Sequence, residues 1–137
     1  MSYDHNPKAL EMIRELFKER GMQRVNALWE LDAEFARLFE DFTYGGMYQR
    51  TVLSQKVREL CAVAGVVCLG WAPQIYNHVA AALNAGATRA EVQEVILQMM
   101  VYAGAPATLH GVEQMRKVFA DRDAEERRPA GSPGDRG

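Results

Sequence analysis

From Pro7 to Phe119 apolar residues return every three or four positions, and no stretch shows sustained alternation. That repeat lines up side chains along one side of an α-helix, whereas a half-buried strand needs a period of two. The pattern therefore predicts an all-α fold, a bundle of about six to seven helices. The punctuation agrees. Asn6 before Pro7 reads as an N-cap with proline at the first helical position, and Gly21 as the stop. Between them Leu10, Ile13, Leu16 and Phe17 make an inward stripe. Leu31, Phe35, Leu38, Phe39 and Phe42 make a second, ended by Tyr44-Gly45-Gly46. Ser54 opens a helix that is apolar nearly all round after Arg58, which predicts a central buried helix. Gly70 and Pro73 break it. A helix from about Pro73 to Ala85 follows, with Ile75, Val79, Ala82 and Leu83 inward and Gly86 as its stop. Thr88 and Glu91 form a capping box. The helix it opens points Val92, Val95, Ile96, Met99 and Tyr102 inward. Gly104 and Pro106 reset the chain for a last helix with Leu109, Val112, Met115, Val118 and Phe119 inward.

From Asp121 the stripe dissolves into charge and then Pro-Ala-Gly-Ser-Pro-Gly, too little apolar area to offset ordering entropy. Residues 1–120 are thus expected to form one domain and 121–137 a disordered tail, in keeping with a chain of 137 residues. A formal net charge of -2 offers no basic field for phosphates, so no nucleic-acid partner is expected. The longest apolar run, Leu60 to Pro73, is short of the roughly 20 residues that span a bilayer. No apolar signal segment follows Met1, and the expected location is cytoplasmic, without membrane contact. Cys61 and Cys68 would face the same way on one helix, about 10 Å apart at 1.5 Å rise per residue. A disulfide needs about 7 Å between Cα atoms, so the pair reads as two small core residues.

Two ionisable residues stand where the pattern calls for apolar ones. Glu59 lies along the line of Val63 and Val66, and His78 falls between Ile75, Val79 and Ala82. A short connection makes their helices antiparallel neighbours, so the two side chains can meet. Such a pair is able to pass a proton near neutral pH. Pattern alone favours a satisfied core histidine with a buried or inter-subunit partner, because structural ion pairs are common. Arg58 is a candidate anchor for a substrate carboxylate and equally a surface or interface ion pair. His110 is a candidate second proton carrier, with an exposed polar residue the commoner outcome; His5 is given no role. Tyr44, Tyr48, Trp71, Tyr102, Met99 and Met100 are candidates for a hydrophobic pocket, although such sets are more often core. Neither HxxxH nor HExxH occurs, so no metal is expected. Nucleotide-binding glycine motifs are missing too.

The run from His78 through Asn84, Gly86, Thr88 and Glu91 resembles the carboxymuconolactone decarboxylase family. So do Glu94-Val95-Ile96-Leu97-Gln98 and Tyr102-Ala103-Gly104-Ala105-Pro106-Ala107. Upstream, Phe42-Thr43-Tyr44-Gly45, Arg50 and Leu53 to Leu60 resemble the family's approach to its main helix. The resemblance covers about Phe42 to Phe119 and implies an alkyl hydroperoxidase D-like helical fold. In that superfamily's thiol peroxidases the site resembles E-x11-C-x2-C-x3-H. Glu59 and His78 fall on its Glu and His positions, but Trp71 and Gln74 occupy the two thiol positions. A dithiol peroxidase needs one sulfur to attack and another to resolve, which disfavours that activity. The resemblance therefore implies the cofactor-free branch, which decarboxylates a small lactone acid, with His78 donating a proton and Glu59 as its partner. It places Trp71 and Gln74 near the substrate, implies no cofactor, and implies a homo-oligomer, usually a trimer or hexamer. Relatives also isomerise, cyclise or serve as accessory proteins, so a non-catalytic ligand-binding oligomer is the alternative.

Overall fold

Local capping chemistry sets most helix boundaries. The Asn6 side chain accepts from the backbone N–H groups of Lys8 (3.0 Å) and Ala9 (3.3 Å), opening α1, Pro7–Leu31. Asp32 ends α1 and caps α2, Ala33–Thr43, by accepting from Phe35 N at 2.9 Å. A 3-10 turn, Met47–Gln49, leads to Ser54, which caps α3, Gln55–Leu69. Gly70 closes α3 with a left-handed φ of 70°, where a side chain would be strained. Then come α4, Ala72–Asn84, α5, Arg89–Gln98, and α6, Met100–Glu126. The Thr88–Glu91 capping box forms with both hydrogen bonds, at 3.1 and 2.8 Å. This computed structural model describes residues 3–128, and among them no strand occurs. The all-α reading holds.

The first helix departs from its predicted stop. It does not end at Gly21 but breaks three residues earlier, at Lys18, whose φ of 53° and ψ of −146° lie outside the helical region. The break releases the Leu16 carbonyl, which accepts from Asn84 Nδ2 at 2.7 Å. Gly21 is buried in the second limb. A Cβ there would stand 2.5 Å from Phe17 Cβ and 2.9 Å from Ile13 Cγ2, so glycine is what lets the two limbs close on each other. A second break falls at Gly104, with φ of 80°, inside α6. Pro106 sits in the first turn after it, where its missing N–H costs little.

The main core joins α3, α4, α5 and α6 through Val63, Val67, Ile75, Val79, Val92, Ile96, Met115 and Val118. A smaller one, Ala9, Ile13, Val25, Trp29 and Ala36, holds α1 to α2. Each fully buried Val or Ile contributes about 1.5–3 kcal/mol of transfer free energy.

Several inward expectations are corrected. Helix α3 packs against α4, α5 and α6 but is not buried all round: it packs by the Glu59–Val63–Val67 face, while Cys61, Cys68 and Leu69 are exposed. The cysteines are therefore surface thiols, not core residues. Leu31, Phe35, Leu38 and Phe42 also face outward, because α2 packs on α1 through Ala36, Phe39 and Glu40 instead. Tyr102 and Leu109 point away from the core as well. Periodicity reveals an apolar face but not which element covers it. At the other end α6 continues to Glu126, beyond the point where the stripe dissolves. Asp121, Arg122 and Asp123 tie it to Tyr76, Asn84 and Arg89 through side-chain hydrogen bonds. The remainder of the expected tail, residues 129–137, lies outside the described residues. No single helix among the described residues is long and apolar enough to cross a membrane.

Candidate active site

Only Gly70 and Trp71 separate α3 from α4, and the two helices pack closely along their length. This brings the polar residues of their inner faces together. His78 Nδ1 lies 2.8 Å from Glu59 Oε2. Glu59 is fully buried, while the His78 side chain keeps 16% of its surface exposed. A carboxylate only accepts, so Nδ1 carries the proton and Nε2 is the nitrogen left for other chemistry. The Phe17 ring meets the imidazole edge-on, with centroids 5.5 Å apart. Glu59 Oε1 is buried and has no partner of good hydrogen-bond geometry among the described residues.

Two phenols from the segment after α2 complete this region. Burial first, then the Glu59 charge, pushes the Tyr44 hydroxyl up to about 12. The same causes, with the Tyr48 hydroxyl reaching the Glu59 carboxylate, raise Tyr48 further. Both therefore remain protonated donors across neutral pH. Their rings lie 5.0 Å apart, and Tyr44 also touches Phe17 and Phe39. Gln49 donates to the Tyr44 carbonyl at 2.7 Å and Gln55 to the Tyr48 carbonyl at 2.5 Å, fixing the segment's path.

A cavity of about 560 Å³ opens between these groups and the second limb of α1. His78, Gln74, Tyr44, Tyr48, Phe17 and Arg24 line it, and Ile13, Val25, Leu28 and Phe39 supply apolar wall. Its size lies within the range of roughly 300–1,000 Å³ usual for small-molecule sites. Arg24 is the one arginine or lysine of this lining. Burial first, and then the charge of Arg20, lowers its pKa, the mark of a cation short of a counter-ion.

The predicted site residues divide. Glu59, His78, Tyr44, Tyr48 and Gln74 converge at or behind the cavity. Arg58 stands behind Tyr48, its guanidinium 5.7 Å from that ring and donating to the Arg50 carbonyl at 2.9 Å, so it braces the phenol rather than lining the cavity. Trp71, Tyr102 and His110 are not brought to this cavity. Trp71 sits at the exposed start of α4, 60% accessible, and Tyr102 and His110 lie on outward faces of α6. Met99 lies at the core edge beside Cys68, and Met100 is exposed. Among the described residues no three His, Cys, Asp or Glu side chains come together as a metal site would require.

Phe17 and Arg24 are the residues that sequence reasoning missed. The signal was there: Gly21, Arg24, Val25 and Leu28 fall at i, i+3, i+4 and i+7, a charged residue inside a helical stripe. Reading Gly21 as a stop cut that stripe in two.

Similarity to known proteins places the chain in a family. Over 115 residues the chain is 29% identical to 4-carboxymuconolactone decarboxylase of Acinetobacter baylyi, covering 83% of this chain and 86% of that protein. It is 34% identical over 84 residues to an uncharacterized 15.0 kDa protein of Paracoccus denitrificans, 60% of this chain and 63% of the relative. It is 27% identical over 84 residues to nitrosuccinic acid decarboxylase of Metarhizium robertsii, 61% of this chain and 59% of the relative. The profile of the carboxymuconolactone decarboxylase family matches residues 33–117, from α2 through most of α6 and across both Glu59 and His78, and the chain belongs to that family.

Proposed function

We propose that this protein is a cofactor-independent, decarboxylase-type lyase acting on an unsaturated lactone acid or a related carboxylic acid. Membership of the family and the two relatives named as decarboxylases support a decarboxylase-like activity. The observation that carries the acid–base reading is the 2.8 Å contact between His78 Nδ1 and the fully buried Glu59, at the edge of a largely apolar cavity. In this reading Arg24, rather than Arg58, holds an acidic group of the substrate.

The chemistry follows from the groups present. Cleavage of the carbon–carbon bond to the departing carboxylate releases carbon dioxide and leaves the bonding pair on the substrate. That pair delocalises into the adjoining unsaturated carbonyl. The Tyr44 phenol donates a hydrogen bond to the oxygen gaining charge, while the Tyr48 hydroxyl stays on the Glu59 carboxylate. His78, cationic with Nδ1–H held by Glu59, delivers the Nε2 proton to carbon and is re-protonated from solvent. Apolar walls favour the step because the ionised carboxylate of the reactant loses more solvation than the dispersed charge of the transition state.

Ultraviolet assay of purified protein with 4-carboxymuconolactone, with His78→Ala alongside, tests the reading. Substrate loss with carbon dioxide release by the parent protein alone is the expected result. Full turnover by the variant overturns the role of His78, and no turnover by either overturns this substrate. A homo-oligomer, trimer or hexamer, also belongs to this reading. The outward stripe Leu31, Phe35, Leu38 and Phe42 supports it, since monomers rarely expose so continuous an apolar face. Light scattering that returned the monomer mass would remove it.

A further inference from the structure

Beside the reaction cavity lies a second cleft, of about 340 Å³, between the break in α1, the middle of α4 and the end of α6. Phe17 and Arg24 line both spaces, so they form the partition between them. The second cleft is polar where the first is apolar. Lys18, Arg20, Arg24 and Arg122 bring four positive charges to its lining, against Asp121 and Glu125. Asp121 is engaged by the Tyr76 hydroxyl at 2.5 Å, and Arg20 stacks over that tyrosine ring at 4.5 Å. Arg122 is committed to Asn84 and the Ala80 carbonyl. Positive charge therefore exceeds what the cleft's own acids neutralise.

The decisive residue is Asn77, which also lines this cleft. It is only 3% exposed, yet neither its Oδ1 nor its Nδ2 has a hydrogen-bond partner among the described residues. A buried polar group left unpaired costs about 1–3 kcal/mol, and this amide leaves a donor and an acceptor unused at the wall of the cleft. The complementary ligand offers an acceptor and a donor side by side, and it carries negative charge for the arginines. A carboxylate accepts from Nδ2, and a neighbouring hydroxyl donates to Oδ1.

We infer that the Asn77 cleft is a second binding site, separate from the reaction cavity, for a hydroxylated di- or tricarboxylic acid held by Asn77 and Arg20. Because Arg24 borders both spaces, occupancy of this site bears on the electrostatics of the cavity without entering it.

Calorimetric titration of the full chain with citrate, in low-salt buffer, tests it. Asn77→Leu, close in volume but without the amide, is expected to weaken citrate by about tenfold or more, as expected when a buried polar partner is lost. Arg20→Ser, an exposed change that keeps the core intact, is expected to weaken it by about threefold or more. His78→Ala is expected to leave it within about twofold, since that residue lines the other space. Tricarballylate, which is citrate without the hydroxyl, is expected to bind about tenfold more weakly, and inorganic phosphate more weakly still. No citrate binding by the parent protein, or unchanged affinity in Arg20→Ser and in folded Asn77→Leu, overturns the site. Loss of binding in His78→Ala places the anion in the reaction cavity and also overturns it. Tricarballylate equal to citrate overturns the hydroxyl contact, and phosphate equal to citrate overturns the ligand class.

Discussion

Among the described residues two glutamates are buried, each bonded to a histidine Nδ1, and their surroundings differ. Glu40 is fully buried and accepts from His5 Nδ1 at 2.7 Å, Trp29 Nε1 at 2.6 Å and the Asn6 backbone N–H at 3.0 Å. His5 is itself held edge-on against the Tyr3 and Trp29 rings. Glu59 is as deeply buried, but only His78 approaches it with good geometry, and its Oε1 is left over. His78 borders the apolar cavity, whereas His5 clasps the segment before α1 to α2. The same residue pair thus serves two ends. Where both carboxylate oxygens accept, the pair stabilises a fold; where one oxygen is left over behind a cavity, the arrangement is less stable than it could be, as sites of chemistry often are.

The largest effect that separates the two pairs is on turnover. His78→Ala is expected to lower kcat by about 10²–10⁴-fold, the usual worth of a positioned proton donor. His5→Ala is expected to leave kcat within about twofold, because it touches no part of the cavity. Comparable losses from both, in the same ultraviolet assay, would erase the distinction.

Stability gives the next largest contrast, in the opposite sense. Glu40→Leu removes the acceptor for three donors and leaves them buried, for an expected loss of about 3–5 kcal/mol. Glu59→Leu strands the His78 Nδ1–H and the Tyr48 hydroxyl, both of which border a cavity, and is expected to cost less, about 1–2 kcal/mol. Urea denaturation of the two variants measures both. Equal losses would mean that Glu59 is as structural as Glu40. Arg24→Gln should then raise KM by about tenfold with a smaller change in kcat, as loss of a charged hydrogen bond to substrate in both ground and transition states requires.

How much of this was legible in the sequence depends on the range of the interaction. The Asn6–Pro7 start, the Ser54 cap, the Gly70 stop and the Thr88–Glu91 box satisfy backbone groups within one turn, so a few neighbouring residues encode them. Glu59 and His78 were legible because charge in an apolar stripe is a local contrast, and the two-residue link between their helices made them neighbours. Arg24 is the same kind of contrast but was lost behind Gly21, a glycine that permits close packing rather than ending a helix. Nothing local marks Lys18 as the break. Its conformation is held by contacts from α4, such as Asn84 on the Leu16 carbonyl, 68 positions away. The outward faces of α2 and α3 were read as core for a related reason: hydropathy says that a face is apolar, not that a partner in the same chain covers it. The Glu40 clasp needed Asn6, His5 and Trp29 from two separate segments, and no spacing rule joins them.

The smallest effect is spectroscopic and reads the two carboxylates through one reporter. Tyr44 titrates at about 12 because burial raises it first and the Glu59 charge second. Its raised folded pKa stabilises the protein fully below pH about 10, the unfolded value, and that contribution is lost as pH climbs from there to about 12. Alkaline ultraviolet titration should show the Tyr44 phenolate appearing above the ordinary tyrosine range, with Tyr44→Phe identifying the step. Glu59→Gln removes a negative charge that opposes phenolate formation, so the midpoint should fall but stay above the ordinary tyrosine value, since burial, the larger cause, remains. Glu40→Gln should leave it in place, because Glu40 does not contribute to that shift. A midpoint that ignored Glu59 would mean that the phenol does not sense its carboxylate, and would remove Tyr44 from the acid–base group around His78 while leaving the pair itself intact.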